Sequence, residues 1–398
     1  MEAAEASTST GAVRKKTTTA EDTRKRRNFL PGTTRRSEIS KKVLSGDNDE
    51  LITLPNPMVG FGLPSQKSVA RRPLPKFAVG LPYFYYENVA LAPKGVWNAI
   101  SSLLYGVEPE FVDSKHFCAA ARKRGYIHNL PIEGRFPLLP IPKKTIQEAL
   151  PATKKWWPSW DVRTQLNCLL TKMEGGQVPA NIRNILQGAG DPPPPKVQAY
   201  VMAQCKRSNL VWVGHHKAAP LDPSEFEMLL GFPRNHTRGG GISTTDRMKS
   251  LGNSFQIDTV AFHLSVLKKL FPGGMNVLSL FSGIGGAEVA LHKLGIRLNV
   301  VVSVEILDVN KNILRSWWSE SGQKGVLVQL DDVKKLNGER IEELMKRYGK
   351  FDLIIGGSPC NNLAGSNRYT RSGLEGKHSS LFYDYVRILN YIRGMEQK

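Results

Sequence analysis

Beyond Pro272-Gly273-Gly274 the chain alternates short apolar runs with amphipathic stretches, and nothing else in its 398 residues constrains the fold as strongly. Asn276 to Phe281, Leu298 to Val304, Val326 to Gln329 and Phe351 to Ile355 read as buried strands. Ala287 to Leu294, Val309 to Trp318, Asn337 to Tyr348 and Ser380 to Arg393 carry helical spacing between and after them. Strands that alternate with helices across short loops predict an α/β fold, a parallel sheet with helices on both faces. Upstream, Pro82-Tyr83-Phe84-Tyr85-Tyr86 is a further strand candidate. A helix is expected from Lys94 through Trp97, Ile100 and Leu104, and helical patterns recur from Pro223 to Leu230 and from Thr259 to Leu270.

Charge narrows the class of partner. Lys and Arg number 55 against 35 Asp and Glu, a formal charge of +20. So basic a chain most often meets a polyanion. No apolar run approaches the length of a membrane span, so no membrane partner is expected. The four cysteines, Cys118, Cys168, Cys205 and Cys360, form no C-x-x-C pair and stand near no His at finger spacing. Neither a metal site nor a disulfide framework is expected, and four scattered thiols suit a reducing compartment.

Residues 1–55 read as a disordered basic arm, low in aromatics, whose Arg24-Lys25-Arg26-Arg27 run fits nuclear import. From there to residue 398 the chain reads as one domain in four segments. Residues 56–129 open the catalytic part. Residues 130–221 differ in texture: Pro clusters, the Trp156, Trp157 and Trp160 group, and Lys143, Lys144, Lys154, Lys155, Arg163 and Arg183 as phosphate-type charge. This reads as a smaller, loop-rich lobe. Residues 222–271 return to the body, and residues 272–398 hold the regular alternation.

In that last segment the first strand enters Phe281-Ser282-Gly283-Ile284-Gly285-Gly286 and leaves as a helix. Such a loop frees backbone N–H groups to face a ligand. It matches neither the dinucleotide fingerprint nor the P-loop. The second strand ends at Glu305-Ile306, near the spacing of an acid that holds a ribose. The third ends at Asp331-Asp332-Val333, where an acid can accept from an adenine amino group. Three tips of this kind describe an adenosine pocket, and the missing phosphate grip favours S-adenosyl-L-methionine over NAD or ATP. The fourth strand runs into Gly356-Gly357-Ser358-Pro359-Cys360-Asn361-Asn362, which puts a thiol on a tight turn where α/β ligands bind. A thiolate there is a nucleophile.

Ser358-Pro359-Cys360, with the Gly-rich loop before it, resembles the cytosine-C5 DNA methyltransferases. Glu87-Asn88-Val89, Arg122-Lys123-Arg124, the run ending Gly231-Phe232-Pro233, and Leu251-Gly252-Asn253-Ser254 match further motifs of that family. Here they precede the Gly-rich loop and the Cys instead of following them. This order is similar to that of the plant domains rearranged methyltransferases, which methylate DNA de novo. The arm before residue 55 leaves no room for the ubiquitin-associated domains those proteins carry upstream.

The resemblance implies a Rossmann-like methyltransferase fold with a target-recognition lobe, and Cys360 as the nucleophile at cytosine C6. It implies Glu87, beside Asn88, at the N3 edge and Arg124 or Arg122 at O2. Phe281, Ser282, Gly283, Ile284, Gly285, Gly286, Glu305, Ile306, Asp332, Val333, Asn253 and Ser254 would hold the cofactor. Arg368 and Arg371, in the polar loop after the Cys, would meet double-stranded DNA around a flipped base. It further implies the nucleus, small-RNA-directed silencing machinery, and a homodimer or paralogue dimer. For the dimer, apolar surface is expected on Asp308 to Trp318 and on the last helix through Phe382, Tyr385 and Tyr391. A catalytically silent DNA-binding paralogue and an RNA cytosine-C5 methyltransferase remain the alternatives.

Overall fold

The computed structural model describes residues 73–169, 176–239, 241–364 and 372–396. Its centre is a seven-stranded sheet built from both ends of that span. The strands are β1 (Tyr83–Val89), β2 (Glu110–Asp113), β3 (Lys123–His128), β6 (Met275–Leu280), β7 (Leu298–Val304), β8 (Val326–Leu330) and β9 (Leu353–Gly356). Their order across the sheet is β2-β3-β1-β9-β6-β7-β8. A separate hairpin pairs β4 (Val211–Gly214) with β5 (Lys217–Ala219).

The sheet is parallel from β1 through β8, and β3 alone runs against its neighbours, pairing antiparallel with β1 and β2. The α/β reading therefore holds with one reversed strand, in a part of the chain where only β1 was expected. β6, β7 and β9 are apolar and largely buried along their whole length, as strands covered on both faces must be. Along β1 successive side chains take opposite faces: Tyr85 joins one hydrophobic core, Phe84 and Tyr86 the other. The first core lies under helices Ile257–Leu264, Gly286–Lys293 and Asp308–Glu320, the second under Val96–Leu103, Gly338–Tyr348 and Phe382–Glu396.

This double cover corrects the expected dimer surface. Phe382 and Tyr385 are wholly buried, and Ile313, Leu314, Trp317 and Trp318 are buried as well. The amphipathic faces that looked available are spent on the sheet. Of the three aromatics named on the last helix only Tyr391 is exposed, and its hydroxyl donates to Glu342.

Arg393, on the last helix, ties that helix to the start of the described chain. Its guanidinium donates to the carbonyls of Phe77, Val79, Gly80 and Pro82 at 2.8–3.2 Å and lies over the Tyr105 ring.

Between residues 130 and 221 the chain is more helical than its proline content suggested. Helices Gln177–Gln187 and Pro195–Arg207 pack on the β4–β5 hairpin around a small core of their own that includes Ile182, Val201 and Trp212. Leu138, Ile146, Leu150 and Leu166 instead join the main core. Arg163 is not free for phosphate: it is almost buried, paired with Asp161 at 2.7 Å, and bonded to the Leu210 carbonyl. Lys143, Lys144, Lys154, Lys155 and Arg183 are exposed.

Candidate active site

The site gathers at the carboxyl ends of β1, β9, β6 and β7. β1 and β9 pair in parallel with Tyr86 opposite Gly356, so Glu87 emerges beside Gly357 and the turn that carries Cys360. The approach is close. A Cβ on Gly357 would lie 2.9 Å from the Glu87 carbonyl oxygen and 3.1 Å from Glu87 Oε2, so the strand can pass only as glycine.

The Glu87 carboxylate accepts from Arg124 Nε at 2.8 Å, across the β1–β3 pair, with both side chains about one-eighth exposed. Burial opposes the charge on Arg124, yet the Glu87 carboxylate beside it holds the guanidinium above its ordinary value. The structure thus brings Arg124 to Glu87 and gives Arg122 other work. Arg122 is buried, with Nη1 donating to the Gly252 carbonyl at 3.3 Å and Nη2 to the Ser254 carbonyl. It anchors the Gly252-Asn253-Ser254 turn. Burial, and then the like charge of Arg124, depress it.

Asn88 is buried and does not face the opening. Its Nδ2 donates to the Tyr86 hydroxyl at 2.9 Å and to the Ser358 carbonyl at 3.2 Å, while the Tyr86 and Ser358 hydroxyls share a bond of 2.7 Å. This trio clamps the base of the Ser358-Pro359-Cys360 turn, which makes Asn88 a positioning residue. Cys360 itself is half-buried, and its carbonyl accepts from the Leu363 and Ala364 amides, closing the chain into a turn after the thiol. Further along, Asn362 accepts from the His378 amide at 3.1 Å. Arg368 and Arg371 lie outside the described residues.

In the Gly-rich loop, Phe281 takes φ +56°, a left-handed conformation rare for a bulky side chain and typical of functional turns. Gly285 has φ +84°, and a Cβ there would strike Leu314, so the loop packs tightly against the helix behind it. The Ser282 and Ser303 hydroxyls share a bond of 2.7 Å. Glu305 braces the loop: one oxygen accepts from the Gly283 amide at 2.9 Å, the other from the Leu307 amide at 2.9 Å. Ile306 beside it is 69% exposed, an apolar side chain standing free at a strand tip. Asp332 accepts from the Lys334 amide, capping the turn after β8. The Val333 side chain is buried, and its carbonyl accepts from Arg387. Ile284 is buried, with its carbonyl bonded to His236 Nε2. Asn253 is exposed, and the buried Ser254 hydroxyl donates to the Leu251 carbonyl.

One residue escaped the sequence reading. Phe255 packs against two glycines at once: a Cβ on Gly286 would lie 3.1 Å from Phe255 Cβ, and one on Gly357 would lie 3.4 Å from Phe255 Cε1. It wedges the Gly-rich loop against the Cys strand. The only sequence signal was its place directly after the Gly252-Asn253-Ser254 motif.

A loop without basic side chains, a free apolar Ile306 and two carboxylates at neighbouring tips fit a nucleoside cofactor without phosphates.

Comparison with known proteins bears directly on this arrangement. The model of the C-5 cytosine-specific DNA methylase family matches residues 275–393. DNA (cytosine-5)-methyltransferase DRM2 of Oryza sativa subsp. japonica is 59% identical over 382 residues, which are 96% of this chain and 63% of that protein. DNA (cytosine-5)-methyltransferase DRM1 of Arabidopsis thaliana is 63% identical over 350 residues, 87% of this chain and 56% of that protein. The chain is similar to these DNA (cytosine-5)-methyltransferases over most of its own length. It spans less than two thirds of the length of these relatives. Not every relative is named as active: the rice protein "Probable inactive DNA (cytosine-5)-methyltransferase DRM1B" is 57% identical over 228 residues, 57% of this chain and 51% of that protein. Likeness to these proteins, then, does not decide activity, which turns on the site residues.

Proposed function

We propose that this chain is a DNA (cytosine-5)-methyltransferase of the de novo type, acting on a cytosine flipped out of duplex DNA. The observation that carries the reading is the Glu87–Arg124 pair, set beside the clamped Ser358-Pro359-Cys360 turn by the β1–β9 pairing. The 281–286 loop, Glu305, Ile306 and the Asp332 tip would hold S-adenosyl-L-methionine, which would supply a methyl electrophile.

The chain's own residues do the rest. Cytosine C5 is too poor a nucleophile to react unaided. The Cys360 thiolate adds to C6, and the electron pair of the C5–C6 bond becomes available at C5. Glu87 meets the N3 edge and holds a proton there as charge builds. Arg124 orients Glu87 and offers its remaining N–H groups to O2. Once C5 carries the methyl group, water takes the C5 proton, the C5–H electron pair restores the C5–C6 double bond, and the C6–S pair leaves with the Cys360 thiolate. Asn88, Tyr86 and Ser358 keep the Cys turn rigid, and Phe255 keeps the two halves of the site in register. Residues 130–221 serve as the recognition lobe, and the exposed lysines add salt-sensitive phosphate affinity. The basic arm suits a nuclear enzyme.

The test is transfer of labelled methyl from S-adenosyl-L-methionine to unmethylated duplex DNA, with an RNA of matched sequence as control. Transfer to DNA that Cys360→Ala abolishes, and that Glu87→Gln lowers by roughly 10²–10⁴, supports the reading. Folded, cofactor-binding protein that transfers to neither substrate would assign the chain to the silent paralogues, and transfer to RNA alone to the RNA enzymes.

A further inference from the structure

Away from the catalytic centre, three metal-ligating side chains converge at the tip of the β4–β5 hairpin. His215 and His216 form the turn, between Gly214 and Lys217. Asp191 faces them from the loop before helix Pro195–Arg207. One ligand atom from each lies within 4.8 Å of the others. His215 Nε2 is 3.4 Å from Asp191 Oδ2. Zinc bonds of about 2.0 Å at tetrahedral angles separate neighbouring donors by about 3.3 Å. The Asp191–His215 edge is thus already close to the length a zinc site requires, and a rotation of the His216 side chain must supply the third donor.

Other features fit the same occupant. The two imidazole rings stack with centroids 3.9 Å apart and planes 27° from parallel, so one ring turns out of the stack when both ligate a single ion. His216 reaches it through a left-handed backbone, φ +52°. The Asp191 and His215 side chains are 66% and 71% exposed, so an ion and a water can enter. Two imidazoles, one carboxylate and no thiolate match zinc rather than magnesium or calcium.

We propose that Asp191, His215 and His216 bind a Zn²⁺ ion, with water as fourth ligand, and that the ion braces the small lobe. The lobe needs a brace. Its separate core is small, and a two-stranded hairpin is marginal by itself. The ion would fasten the loop before helix Pro195–Arg207 to the hairpin tip, and the free energy of binding becomes folding free energy for the lobe. Neither the spacing of the two His nor their distance from Asp191 in sequence follows a finger pattern, so only the fold shows the cluster.

The test uses the full chain, stripped with a chelator and titrated with ZnCl₂ by calorimetry, with melting followed in parallel. We expect one equivalent to bind saturably and to raise the melting temperature. His215→Ala and Asp191→Asn, both at exposed positions, should leave the zinc-free melting temperature unchanged and weaken binding roughly tenfold or more. Co²⁺ in place of zinc should bind without a thiolate charge-transfer band. No saturable equivalent in the wild type, variants that bind as the wild type does, or a thiolate band would each overturn the assignment. The methyltransferase reading is independent of all these outcomes.

Discussion

Asn88 and Ser358 stand 270 positions apart in sequence, yet Asn88 Nδ2 donates to the Ser358 carbonyl at 3.2 Å. With the Tyr86 hydroxyl bonded to both side chains, this link fixes where the Cys360 turn begins. Tyr86→Phe removes the shared hydroxyl and leaves the strand in place. The expected outcome is a lower kcat with little change in cofactor affinity, and a stability loss of about 1 kcal/mol by chemical denaturation.

Gly357 gives a sharper steric test. In Gly357→Ala the new methyl meets the Glu87 backbone at 2.9 Å, and backbone on a central strand cannot step aside cheaply. The variant should lose about 1–3 kcal/mol and most of its turnover, since the displaced group is the proposed acid itself. Wild-type activity in a folded Gly357→Ala protein would contradict the described proximity.

The two arginines of the Arg-x-Arg motif should separate cleanly. Arg122→Ala leaves the buried Gly252 and Ser254 carbonyls without their donor, at a cost of about 1–3 kcal/mol each. Its signature is a fall in melting temperature. Arg124→Ala removes the partner of a partly exposed Glu87 and should lower kcat with a far smaller effect on stability. Measuring both quantities for both variants checks the division.

Glu288 governs a pH dependence. It is wholly buried behind the Gly-rich loop, and among the described residues neither oxygen meets a partner at bonding geometry. Burial raises its carboxyl from 4.5 to about 7, and the nearby Ser279 hydroxyl offsets only part of that. The folded state therefore holds a proton that the unfolded chain releases. The contribution of this group is fully present below pH 4.5 and is lost as pH rises to about 7, an erosion of about 3 kcal/mol. Glu288→Gln should flatten the urea midpoint against pH across that window.

Much of this was legible in the sequence, because it rests on local pattern. The apolar runs of β6, β7 and β9 announce strands buried on both faces, and the glycines, Glu305 and Asp332 stand at successive strand tips where the pattern put them. What stayed hidden depends on which elements meet. Arg122 and Arg124 are two positions apart and chemically identical, and only the β1–β3 register places Arg124 near Glu87. Phe382 and Tyr385 look like an exposed apolar stripe until the sheet that covers them is known. Phe255 has no motif of its own, because its role exists only between two glycines from distant strands. The pairing of Asp191 with the two histidines is likewise made by the hairpin's docking.

The β1–β9 pairing also sets the order in which this protein can assemble. β1 is made early, but its parallel partner leaves the ribosome only after every other strand of the sheet. Until then one edge of β1 is unpaired, and Tyr86 lacks Phe382 and Tyr385 as neighbours. Such long-range closure makes folding slow and leaves an aggregation-prone strand waiting. A chain cut short before the last helix therefore carries every strand of the sheet and still exposes the apolar floor beneath its Ser358-Pro359-Cys360 turn, which makes it a client for chaperones.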